Sequence, residues 1–201
     1  MNVPAFLAGV FPFAIAMSFT PGPNNLMLAS AGARFGFART WRHQLGIVVG
    51  FAIMTLCVGF GIAAFIAAVP ALYTAMKIAS IVYILFLAWK TATATADAPS
   101  GNLGTPMGIL AAASFQWINP KAWIMTLTAM ATYTTPQHDA RLQILLLVAV
   151  FAVVGAASSS TWVAFGQLIR RYLTSKRRRV AFNVIMAALL IASIVPAIFE
   201  H

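Results

Sequence analysis

Charge is what this sequence has least of. Only 8% of its 201 residues are charged, and only 3 of those are acidic: Asp97, Asp139 and Glu200. A water-soluble domain carries about 25% charged residues, so the chain has too little polar surface to cover itself in water. With no carboxylate in any long apolar run, paired-aspartate catalysis inside a membrane is excluded. Cysteine is nearly absent as well. Cys57 stands alone, which rules out an intramolecular disulfide, a dithiol relay and a cysteine metal cluster. No metal-ligand spacing joins His138 and His201, and no nucleophile–base pattern stands out. The expectation is therefore a protein that is not an enzyme, with no cofactor and no metal.

What is present is apolar. Hydrophobic residues make up 61% of the chain, and the mean hydropathy is +0.88. Such a composition belongs to an all-α integral membrane protein. About 20 apolar residues cross the hydrocarbon core as a helix, and six stretches qualify: 4–31, 44–68, 70–90, 107–134, 142–168 and 180–199. The runs are continuous rather than alternating, which favours helices over a barrel.

The net charge is +10, and the positions of the cations fit membrane topology rather than nucleic-acid binding. Arg34, Arg39 and Arg42 follow the first stretch, Lys90 closes the third, and Arg170, Arg171 and Lys176–Arg179 follow the fifth. The opposite loops offer Arg141 and little else. Cations gather on the cytoplasmic side, so both termini are expected outside. The 170–179 cluster is expected to rest on anionic lipid headgroups.

Two of the stretches are too long. Spans one and four each run to about 28 residues, or roughly 42 Å of unbroken helix, against a hydrocarbon core of about 30 Å. Each also contains breakers: Thr20-Pro21-Gly22-Pro23-Asn24-Asn25 in the first, and Ile118-Asn119-Pro120-Lys121 in the fourth. Proline removes a helical hydrogen bond and clashes with the preceding turn. The backbone groups so freed are tolerated in lipid only against protein, a watery cavity or a solute.

The spacing predicts a single transmembrane domain, 1–201, of two inverted three-helix repeats with helices one and four broken: about 1–90 and 107–201, joined by a linker at 91–106. This is the logic of secondary transporters, whose discontinuous helices meet around a binding site.

Lys121 lies about 14 residues from either end of span four, roughly 20 Å along the helix. That is too far for its stem to reach water. No carboxylate in any span can pair with it. Three outcomes stay open: an uncharged amine, an ammonium held by carbonyls at a broken helix end, or a counterion supplied by the cargo.

The residues around both breaks carry a resemblance. Pro21-Gly22-Pro23-Asn24-Asn25 and the glycines and basic loop after it (Gly32, Gly36, Arg39, Arg42, His43, Gly46, Gly50) resemble the signature of the LysE/RhtB family of bacterial amino-acid exporters. The run Phe115-Gln116-Trp117-Ile118-Asn119-Pro120-Lys121-Ala122-Trp123 is similar to that family's Asn-Pro-Lys motif. Its Phe-Gln-Trp looks like the branch that includes cysteine and O-acetylserine exporters. The likeness covers nearly the whole chain. It implies export of amino acids or their derivatives across the bacterial plasma (inner) membrane, driven by the proton-motive force.

An amino acid is a zwitterion, so its site must meet both charges. Helix restarts at Asn24 and after Pro120 suit a carboxylate, with Lys121 adding a full charge. Carbonyls freed before Pro21 and Pro120 suit an ammonium, with Asn24, Asn25 and Asn119 as adaptable partners. The expected substrate-binding residues are thus Pro21, Gly22, Pro23, Asn24, Asn25, Asn119, Pro120 and Lys121. Lys121 and His43 are the proton-coupling candidates, with an interfacial position beside Arg42 as the plainer account of His43. The run Ser158-Ser159-Ser160-Thr161 reads as helix packing ahead of a polar path. The partners are a small zwitterion, protons and membrane lipids. A channel-like facilitator for a small polar solute is the alternative function.

Overall fold

The computed structural model describes residues 1–62, 68–93, 105–135, 139–193 and 195. Every regular element among them is helical. The α-helices are α1 (Val3–Phe19), α2 (Pro23–Phe35), α3 (Trp41–Cys57), α4 (Pro70–Ala92), α5 (Ile109–Phe115), α6 (Pro120–Tyr133), α7 (Ala140–Ile169) and α8 (Lys176–Ala192). Most of the expected 91–106 linker, together with Asp97, His138, Glu200 and His201, lies outside the described residues.

Three segments are long and apolar enough to cross a membrane: Ala38–Ile62, Thr74–Ala92 and Ala140–Tyr172. The pair α1–α2 qualifies as a fourth span, bent by 57° at its break. Large apolar side chains face outward all round, among them Val82, Leu110 and Val153. In water such a surface would aggregate, whereas lipid is its proper solvent.

Local chemistry sets the helix ends. Asn2 caps α1 by accepting from the Ala5 amide at 3.1 Å. Asp139 caps α7 through the Arg141 and Leu142 amides. Ser175 caps α8 through the Arg178 amide, which places Lys176–Arg179 in the first turn of that helix rather than in the preceding loop. A short polar acceptor before a helix satisfies amides that have no intrahelical partner. Gly36 ends α2 at φ +80°, a conformation that favours glycine.

The break in span one divides it between two cores. The α1 half packs with α3, α6 and α7 through Val10, Ala14, Phe51, Met125, Leu147 and Phe151. The α2 half packs with α4 and α8 through Leu26, Ile84, Leu87, Met186 and Leu190, and Phe115 of α5 joins this second core. Both breaks therefore sit where the cores meet. Gly32 and Gly166 bring α2 and α7 backbone to backbone, because a Cβ on either would collide with a carbonyl of the other helix. Gly46 and Gly50 do the same for α3 against α5.

Candidate functional site

The first break is an open turn. Helix α1 stops at Phe19 and α2 resumes at Pro23, one residue earlier than expected, because proline's fixed φ suits the first helical position. No side chain caps the new helix. The second break follows the same plan. A 3₁₀ turn at Gln116–Ile118 leads to Asn119, whose Oδ1 caps α6 by accepting from the Lys121 amide at 3.2 Å.

Lys121 then reaches across to the first break. Its Nζ donates to the Thr20 carbonyl at 2.6 Å, to the Thr20 hydroxyl at 2.8 Å and to the Pro21 carbonyl at 3.4 Å. All three ammonium donors are occupied. Of the three outcomes open from sequence, this geometry is the second, capture by carbonyls at a broken helix end. Gly22 makes room for the stem, since a Cβ there would lie 2.5 Å from Lys121 Cδ.

The asparagines divide the remaining work. Asn25 Nδ2 donates to the Ser18 carbonyl at 2.7 Å and to the Thr20 carbonyl at 2.8 Å. The Ser18 carbonyl also accepts from Ser158 Oγ at 2.7 Å. The Ser18 and Thr20 carbonyls, expected to receive an ammonium, are thus already met by Asn25, Ser158 and Lys121. Asn24 Nδ2 donates to Gln116 Oε1 at 2.9 Å, and Gln116 Nε2 returns a bond to Asn24 Oδ1 at 3.4 Å. Gln116 is fully buried and belongs to this junction, although the sequence reading left it out. Its signal was present: an amide inside an apolar span must find a partner, and the other break supplies one.

Beside this junction lies a cavity of about 60 Å³. The first break offers it Gly22, Asn24 and Asn25, and the second offers Asn119 and Lys121. Apolar walls come from Met17, Phe51, Met125 and Phe151, and α7 adds Ser158 and Ser159. Pro21, Pro23 and Pro120 shape the breaks without lining the cavity. His43 is not in its wall either. It is buried, and neither ring nitrogen has a hydrogen-bond partner among the described residues.

A model of the LysE type translocator family matches residues 15–194. The chain belongs to that family. As a LysE-type translocator it is a membrane transport protein and not an enzyme. It is 31% identical to the cysteine/O-acetylserine efflux protein of Salmonella typhimurium (strain LT2) over 191 residues, 94% of this chain and 95% of the relative. To the cysteine/O-acetylserine efflux protein of Escherichia coli (strain K12) this translocator is 29% identical over 189 residues, with the same coverage. No solved structure matches the translocator.

Proposed function

We propose that the protein is a secondary transporter that exports small amino acids or their derivatives, with cysteine and O-acetylserine as the leading cargoes, across the bacterial inner membrane. The observation that carries this reading is the bridge from Lys121 to Thr20 and Pro21, which joins two broken helices 100 residues apart at the edge of a cavity.

The cavity supports it. A cavity needs about 10–15 Å³ of such space to admit one water, so this one, at about 60 Å³, has room for more than one. The uncapped start of α2 and the charge of Lys121 both favour the cargo's carboxylate there. In this reading Lys121 exchanges the Thr20 and Pro21 carbonyls for that carboxylate, and it carries the coupled proton during the cycle. His43 is the second proton-coupling candidate.

The packing is consistent with inverted repeats. Six spans would be α1–α2, α3 and α4, then α5–α6, α7 and α8. A twofold axis in the membrane plane would carry α3 onto α7 and α4 onto α8, and each of these pairs is in contact. The same axis would exchange the α1–α7 contact for the α5–α3 contact, and both are present, although the extensive α2–α7 contact is matched by only a slight α6–α3 one. The cation distribution supports an orientation with both termini outside.

Proteoliposomes loaded with L-cysteine or O-acetylserine test the function. The expected result is counterflow that responds to an imposed proton gradient and is abolished in Lys121→Met at equal protein levels. Passive conductance without counterflow would establish the channel instead, and undiminished flux in Lys121→Met would remove this site from the pathway.

A further inference from the structure

Four consecutive hydroxyls, Ser158 to Thr161, lie on α7 at the level of the breaks, and three of them are engaged within the protein. Ser158 Oγ donates to the Ser18 carbonyl, Ser160 Oγ donates to Gln44 Oε1 at 3.0 Å, and Thr161 Oγ1 donates to the Ala157 carbonyl at 2.8 Å. Ser159 is the exception. It is 3% exposed, makes no hydrogen bond with a described residue, and lines the cavity. Its hydroxyl is therefore open to a partner inside the cavity. Ser30 and Ser80 also have unpartnered hydroxyls, but neither lines the cavity.

The same walls show where an ammonium can be received. The Ser18 carbonyl already accepts two hydrogen bonds, from Asn25 Nδ2 and Ser158 Oγ, and a carbonyl oxygen has two lone pairs. Asn25 Oδ1, by contrast, accepts none from a described residue, because the amide's bonds run through Nδ2. We propose that Ser159 is a cargo-contacting residue, whose hydroxyl and Asn25 Oδ1 together accept from the cargo's ammonium. This rests on the transport site proposed above, and it puts side-chain acceptors where the saturated Ser18 carbonyl can offer none.

The test uses the full chain in proteoliposomes, with reduced radiolabelled L-cysteine as the transported probe. The competitor is 3-mercaptopropionate, which has the same carboxylate and thiol but no amine. In Ser159→Ala the KM for L-cysteine should rise roughly tenfold, the scale of one lost hydrogen bond. Inhibition by 3-mercaptopropionate should be unchanged. The thermal midpoint should also hold, because Ser159 makes no hydrogen bond with a described residue.

Equal losses for both compounds, or a fall in the midpoint that accounts for the loss, would assign Ser159 a packing role and overturn the proposal. An unchanged KM in Ser159→Ala alongside inactive Lys121→Met would overturn this inference alone. Unchanged transport in both variants would overturn the site itself.

Discussion

Gly22 sits where the Lys121 side chain crosses the first break, and its backbone is extended at φ −172° and ψ 175°. Any residue adopts that conformation, so the requirement is for space. A methyl group there meets Lys121 Cδ at 2.5 Å and Nζ at 3.1 Å. The stem can swing away only by releasing the Thr20 oxygens. Gly22→Ala should therefore lower unfolding stability in detergent by about 1.5–3 kcal/mol, the range for hydrogen bonds to a charged group. In a Lys121→Ala background most of that cost should vanish, because residues in contact are energetically coupled. A full additional cost in that background would show that Gly22 is needed for something other than the lysine.

Residue type explains which parts of this site were legible in the sequence. Lys121, Asn24, Asn25 and Asn119 stood out because such groups are expensive in lipid and accompany prolines. Gln116 and Ser159 did not, since amides and hydroxyls inside helices ordinarily bond to nearby carbonyls. Only the fold shows that one pairs with Asn24 across 92 residues and that the other has no hydrogen-bond partner among the described residues.

At the scale of elements, hydropathy marked the apolar stretches, and proline marked where the first and fourth are interrupted. Helix ends were less legible, because Ser175 and Asp139 draw their cations into a first turn that charge alone would assign to a loop. Which glycines pack was not legible at all. On α7, a Cβ at Gly166 would strike the Ala29 carbonyl, whereas one at Gly155 meets nothing within 4 Å.

The two glycines should respond with opposite signs. Gly155→Ala should stabilise the helix by about 0.5–1 kcal/mol. Gly166→Ala forces α2 and α7 apart and should cost about 1–3 kcal/mol, as overpacking does. Thermal unfolding of the two variants in detergent measures both. Equal shifts would mean that α2 and α7 do not approach at Gly166.

For the molecule as a whole, the fold draws cations that are distant in sequence to one end. Phe35–Ala38, flanked by Arg34 and Arg39, share a cleft with Gln167, Arg170 and Arg171. Asp139, at the start of α7, is separated from that cleft by a 30-residue helix, roughly 45 Å at 1.5 Å per residue. The two ends of α7 therefore lie on opposite sides of any bilayer it spans. In the orientation proposed above, the arginine end faces the cytoplasm.

Single cysteines can establish the orientation, because Cys57 is the only native one to remove. In a Cys57→Ser background, Asp139→Cys and Thr174→Cys each place a thiol at an exposed position. A membrane-impermeant maleimide applied to intact cells should label position 139 and spare position 174 until the cells are permeabilised. The reverse pattern would turn the molecule over. Both termini would then face the cytoplasm, and the arginine end would face away from the leaflet whose anionic lipids hold cations in place.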